Sequence, residues 1–479
     1  MPQDQWPARF GEDWRVTSRF RSVMVIVGLL ALSGCGDFNA GPIEYKEHER
    51  LSTDLKDKPN LRAAIQKNLS DLFGESPQRI RVPNNSGLRE GGRYLAGYVE
   101  EQEGVNKPVA YMDRDLGKVA LAEGGYTLYR KHCLHCHGVS GAGNGPTANF
   151  LFPRPRDYRK GVYKFTSTNP TNAKPTHDDL AKTLRHGLHG TSMPAFEALM
   201  SEAEIRQVVD YVIFLSVRGE VEYKLIEEGT LAEDKDAAEA LSKETVNDIL
   251  TAVLGTWKAA DGQVVNPSVR RGDATRDSIL RGRDLFLGIN KTGNKLACAD
   301  CHGSKALGDG MNFVEREIFD KVVFRREPLE QAIAERYVER QDEELARAGG
   351  DHSTAAHGPT VSNPAEVEPF DKYLSRTLIT WKQGSLDDWG NPIRAANLNL
   401  GVYKGGRRPI DLYWRIAKGI NYAKMPAHST LINDEQIWDV VNFVLALPYD
   451  PELLKDSDEM KAKAAKAAAG AKVASTLRP

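Results

Sequence analysis

The chain has 479 residues, and at about 150 residues per domain that is material for roughly three folding units, each able to bury a core without disulfide staples. Its 64 Lys and Arg stand against 66 Asp and Glu, with 41% hydrophobic residues, so the basic excess of a nucleic-acid-coating protein is missing, as are the long apolar runs of a multi-pass membrane protein. What remains is a water-facing body in which the placement of five cysteines carries most of the chemical information.

In chain order, the first distinct stretch is the apolar run Val23 to Leu32, preceded by Arg15, Arg19 and Arg21 and followed by Ser33, Gly34 and Cys35. It is too short to span a bilayer. A positive segment, a short apolar core and small residues at a cut site have the layout of a secretory signal, which assigns residues 1–34 to a signal peptide. Leu32-Ser33-Gly34-Cys35 resembles a bacterial lipobox, which implies that the Cys35 thiol is lipidated and becomes the first residue of the mature chain. Cysteine arithmetic agrees, because the other four cysteines pair off inside two motifs and an unpaired thiol in an exported protein needs a fate. Two or three acyl chains would anchor the protein stably where one would be marginal. This places the protein on the periplasmic side of a bacterial membrane, with inner and outer membrane both open.

Residues 35–117 are polar and rich in turn residues, and read as a stalk or wrapping segment. Helical patterning occupies 118–219 around Cys133-Leu134-His135-Cys136-His137. A charged connection, 220–274, contains one amphipathic helix from Ala237 to Trp257. Helical patterning resumes over 275–450 around Cys298-Ala299-Asp300-Cys301-His302, and the Lys/Ala-rich tail, 451–479, reads as a solvated, frayed helix.

The two helical regions are copies of one another. Leu180, Gly187, Met193, Pro194, Ile205, Val208, Val209, Tyr211, Val212 and Leu215 match Leu412, Gly419, Met425, Pro426, Ile437, Val440, Val441, Phe443, Val444 and Leu447, all at an offset of 232. Upstream, Gly161-Val162-Tyr163-Lys164 recurs as Gly401-Val402-Tyr403-Lys404 at an offset of 240, and the cysteines recur at 165. The change of offset locates an insertion of about 75 residues in the second copy, roughly Asn312 to Asp388, charged and helix-prone. Each copy closes with a helix whose start is marked by Ser201 with Glu204, or by Asn433 with Gln436, at capping-box spacing. Gly125 with Tyr129, and Gly282 with Phe286, recur at i, i+4 in the opening helices, where a glycine lets the closing helix approach and Tyr211 or Phe443 pack at the crossing.

The Cys-x-x-Cys-His spacing lets two thiols add to the two vinyl groups of one haem while the adjacent histidine reaches the iron, and it is the c-type haem attachment signature. Zinc would need four clustered ligands, which neither copy supplies. A thioredoxin-type CxxC would need a βαβ setting, and none is visible. The cofactors expected are therefore two haem c groups, attached through Cys133, Cys136, Cys298 and Cys301, with His137 and His302 as proximal iron ligands. Met193 and Met425 sit in matching polar Met-Pro loops before the closing helices and are the candidate second axial ligands. His186, His189 and His428 are nearby competitors with no histidine counterpart in the other copy, His189 being the strongest rival. Arg154 and Arg394, like Lys164 and Lys404, recur at the 240 offset and are candidates to offset haem propionate charge.

These motifs, a helix carrying CxxCHG, a Met-Pro loop and a C-terminal helix, resemble class I c-type cytochrome domains in both copies. The resemblance implies an all-α fold, two such domains in tandem, the second with a long helical insertion. It also implies that each proximal histidine donates its free N–H to a carbonyl, commonly of a proline, for which Pro146, Pro153 and Pro392 are candidates. The function expected is single-electron transfer to and from protein partners of a respiratory chain, with no nucleic acid involved. Two alternatives stay open: a di-haem peroxidase-like oxidoreductase with one open iron, for which the insertion with His352 and His357 could build a pocket, and a cytochrome subunit of a larger respiratory complex.

Overall fold

The fold is known from a computed structural model, which describes residues 43–88, 92–97, 99–102, 105–113, 116–169, 174–289, 296, 298–347, 368–462 and 466. Cys35 and the signal-like segment lie outside the described residues, as do His352 and His357. Residues 44–479 form one compact unit. Among the described residues no helix is long and apolar enough to cross a membrane.

The N-terminal segment is more ordered than its polarity implies. Helices α1 (Glu49–Thr53) and α2 (Pro59–Phe73) are followed by two antiparallel hairpins, β1 (Val99–Gln102) with β2 (Val105–Pro108) and β3 (Ala110–Asp113) with β4 (Lys118–Leu121). Leu61, Ile65, Leu69 and Phe73 recur every three or four residues along α2 and are buried, so the helix lays one apolar stripe on the core. Of the two readings of 35–117, stalk or wrapping segment, the described residues 43–88 fit the second, since their apolar side chains join the core of the first copy. Helical structure also begins later than residue 118, because the alternating Lys118-Val119-Ala120-Leu121 suits strand pairing.

The first copy contains α3 (Gly125–His132), α4 (Leu134–His137), α5 (His177–His186) and α6 (Glu202–Leu231). Helix α6 starts at a closed capping box, Ser201 with Glu204, and runs for 30 residues. It overruns the expected boundary at 219 because Val221, Leu225 and Ile226 continue its apolar face into the core shared with α2. The expected helix over 237–257 is broken into α7 (Ala237–Ala240) and α8 (Lys243–Ala259), since the Ser242 side chain caps a new start by accepting from the Thr245 amide.

The second copy contains α9 (Arg276–Leu287) and α10 (Cys298–His302), then the insertion with α11 (Arg316–Phe324), α12 (Leu329–Arg347) and α13 (Phe370–Gln383), and finally α14 (Pro409–Lys418) and α15 (Asp434–Ala446). The Asn433–Gln436 capping box that opens α15 is closed in both directions. The insertion has a small core of its own, including Ile318, Phe319, Ile333, Tyr373 and Trp381. Each opening helix meets its own copy's closing helix at a glycine: a Cβ on Gly125 would collide with the Gln207 carbonyl oxygen, and one on Gly282 with that of Asp439. Tyr211 packs on Tyr126 and Tyr129, and Phe443 on Phe286, at these crossings.

The two copies are locked together by polar contacts. Lys164 pairs with Asp387 at 2.8 Å, and that carboxylate is 2% exposed. Lys182 pairs with Asp411, Lys418 donates to Thr166 Oγ1 at 2.8 Å, and the Arg156 guanidinium lies 3.9 Å from the centre of the Trp389 ring. The insertion also reaches the first copy, where Arg326 donates to the Asn149 carbonyl and Phe152 packs edge-on against Phe319 and Phe324.

Candidate haem sites

Each CxxCH motif is shaped by its own short helix and by the loop that follows it. In the first copy, Gly143 N–H donates to the carbonyl of His137, Gly145 N–H to that of Cys136 and Thr147 N–H to that of His135. In the second, Gly308, Gly310 and Asn312 repeat these bonds to His302, Cys301 and Asp300. The correspondence extends to the second cysteine of each motif, whose Sγ meets Thr147 Oγ1 or Asn312 Nδ2 at 3.3 Å. The match runs one residue further, Phe313 N–H donating to the Gly310 carbonyl as Ala148 N–H does to that of Gly145.

Both proximal histidines are oriented by a backbone carbonyl. His137 Nδ1 lies 3.2 Å from the Arg156 carbonyl oxygen, and His302 Nδ1 lies 3.0 Å from that of Ala396. The acceptors are therefore not Pro146, Pro153 or Pro392. They are the residues two past Arg154 and Arg394, because Gly143 and Gly308 let the Pro155–Arg156 and Ala395–Ala396 segments come down over the imidazoles. The repeat held this information, since 156 and 396 differ by the same 240 as the arginines. With Nδ1 bonded, Nε2 is the nitrogen left to face a metal. Burial favours neutral rings, lowering His137 to about 4 and moving His302 in the same direction. It also raises the Cys133 and Cys298 thiols to about 12.

The Met-Pro loops are equally matched. Leu188 N–H donates to the Met193 carbonyl, and Ile420 N–H to the Met425 carbonyl. Gly187 and Gly419, each at positive φ, press so closely on the Met-Pro backbone that a side chain at either would collide with it. His186 is half exposed and faces Glu197, whereas His189 is exposed at the edge of the site. His428 differs from both, with a buried Nδ1 that lacks a partner.

Both CxxCH motifs, Met193, Met425, His189 and His428 line one cavity of about 1280 Å³, whereas His186 lies outside its lining. Its volume exceeds the roughly 300–1,000 Å³ of an ordinary small-molecule pocket. Nine Lys or Arg side chains line it against two acidic ones, Asp300 and Asp320. Arg154 and Arg394 are both among the nine. Arg394 binds the Gly308 carbonyl through Nε and Nη2 but buries Nη1 without a partner. Arg415, missed at the sequence level because Thr183 stands at its repeat position, lines the same space and is drawn down to about 10 by desolvation. Lys164 spends its charge on Asp387, whereas burial lowers Lys404 with no carboxylate to offset it. An apolar wall, paired thiols beside an imidazole, a methionine thioether and a surplus of cations fit a large apolar metal macrocycle with anionic arms.

The family profile of cytochrome c oxidase, cbb3-type, subunit III matches residues 120–212. A chain of the reducing HAO-like protein complex of Kuenenia stuttgartiensis is similar at 21% identity and a TM-score of 0.38, over 67% of this chain and 94% of that one. No curated protein matches the sequence. The profile match and the helical architecture make this an all-α protein with a c-type cytochrome domain, and such a domain binds haem c covalently.

Proposed function

We propose that the chain is a membrane-tethered di-haem electron carrier of the extracytoplasmic respiratory chain. The observation that carries this reading is the single cavity on which two CxxCH motifs and two Met-Pro loops converge. Cys133 with Cys136, and Cys298 with Cys301, would hold the two haem groups by thioether bonds. His137 with Met193, and His302 with Met425, would occupy the axial positions. Bound haem supplies a one-electron iron couple, whose potential a His/Met ligand pair raises.

The chain's own residues do the rest. The carbonyls of Arg156 and Ala396 hold the imidazoles in one orientation, and Arg154 and Arg394 would offset the charge of the propionates. Because both motifs line one cavity, an electron would pass from one site to the other inside the molecule. Lipid on Cys35 confines the carrier to the periplasmic face of a membrane, where its partners are respiratory redox proteins.

The test is the intact mass of the exported, matured protein. Two haems and an acylated Cys35 are expected, with Cys133→Ala and Cys298→Ala each impairing one attachment. A single haem in the unmutated protein would overturn the di-haem reading. The reading of a haem oxidoreductase with one open iron draws on a specific observation, since Arg316, Phe319, Asp320 and Phe324 of the insertion line the cavity. Peroxide turnover by the loaded protein would favour it.

A further inference from the structure

The two halves of the site differ at several titratable positions, among them His189, whose counterpart is Asn421, and His428, whose counterpart is Phe196. His428 and Phe196 are equivalent by the 232 offset and by backbone. Phe196 N–H donates to the Leu184 carbonyl and His428 N–H to that of Ile416, at 2.9 and 3.0 Å. Met200 and Ile432 N–H donate to the carbonyls of Phe196 and His428 in turn. Phe196 is buried and packs edge-on against His132. Its counterpart thus places an imidazole where the first copy has a hydrocarbon ring, on the wall of the same cavity. The buried Nδ1 has no hydrogen-bond partner.

We infer that His428 couples proton uptake to electron uptake at the second haem, giving its potential a pH dependence that replacing this one side chain reduces. The inference rests on the di-haem reading and concerns this chain's side chain, three residues past Met425. Its physical basis is linkage: a proton on His428 would add positive charge to the wall of the cavity that would hold the haem and so favour the reduced state, which carries one positive charge fewer. Reduction in turn favours protonation of the ring.

Burial disfavours the charged imidazole and is the cause that moves it. Its charge is also felt at His302, where it opposes protonation after the larger effect of burial. Other titratable groups on the surrounding elements are already engaged. On α14, Arg415 donates to Gly406 and Lys418 to Thr166. On α15, Asp434 accepts from Tyr413 and Asp439 pairs with Arg281. Lys424, on the same loop, pairs with Asp388. Glu435 lies in the exposed first turn of α15. The propionates of the haem itself titrate as well, and the comparison below subtracts them.

The experiment is a spectroelectrochemical titration of the loaded protein between pH 5 and 9, resolving the two haems, for the wild type, His428→Phe and Phe196→His. His428→Phe imports the residue that the first copy already carries at this place. In the wild type the second potential should fall as pH rises, by up to tenfold in the reduction equilibrium per pH unit, about 59 mV for one electron. His428→Phe should reduce that slope, and Phe196→His should steepen the slope at the first haem. A wild-type second potential independent of pH, or a slope unchanged by His428→Phe, overturns the inference. Because the optical spectrum reports haem content and low-spin ligation before any titration, a protein lacking two such haems refutes the di-haem reading instead. If His428→Phe fails to load haem, His428→Gln carries the same prediction.

Discussion

At the scale of single residues, the proposed chemistry separates into attachment, ligation and orientation, each with its own signature. Met193→Ala or Met425→Ala should open one iron to carbon monoxide while leaving its covalent haem in place, as read by the ferrous spectrum before and after the gas. If both variants kept the unmutated spectrum, the axial assignment would be wrong. The glycines at the helix crossings belong to packing alone. Gly282→Ala puts a methyl group into the Asp439 carbonyl, and overpacking of this kind costs about 1–3 kcal/mol. Denaturant titration should show a loss of that size, and an unchanged midpoint would mean that α9 and α15 can separate freely. The spacing of the cysteines and of the crossing glycines was legible because the copies repeat it and because close approach demands glycine. The histidine acceptors were not legible as prolines, since any backbone carbonyl can accept and the choice falls to loop geometry.

At the scale of elements, the sequence spoke most clearly where side chains close local bonds. Ser201 with Glu204, and Asn433 with Gln436, mark their helix starts because each cap and its third residue satisfy one another. Boundaries that depend on distant partners were harder to read. Helix α6 outruns the first copy because its last turns find the apolar face of α2, a contact invisible in local pattern. The insertion was visible as a change of offset, but its reach was not. Through Arg326 and Phe319 it touches the first copy as well as the second. The ion pair between Lys164 and Asp387 ties the copies through a carboxylate that also accepts from the amides of Trp389 and Asn391. Removing one partner of a buried pair costs about 3–5 kcal/mol. Asp387→Ala should therefore lower the thermal midpoint sharply, and a change near zero would show that the pair is solvated.

At the scale of the whole molecule, two copies of one domain share a boundary that is charged yet largely closed to water. Lys418 sits there, 5% exposed, with its pKa lowered to about 8 by burial. The sign follows from linkage. Below about pH 8 the fold must carry a buried ammonium that the unfolded chain carries in water, so stability is reduced. Between about 8 and the unfolded value near 10.4 the folded group is neutral while the unfolded one still binds a proton, so stability rises with pH. The gain is on the order of 3 kcal/mol. Lys418→Met should remove this part of the pH dependence in denaturation measured across that range, and an identical profile would contradict the assignment. The central claim, that both irons are held by histidine and methionine in one cavity, is tested most directly by the optical spectrum of the purified mature protein. The ferric form is searched for the weak red thioether-to-iron band, and the ferrous form is recorded before and after carbon monoxide. Two haems that both show the band and ignore the gas are the predicted result; a haem without the band that binds carbon monoxide readily would contradict the claim for that site.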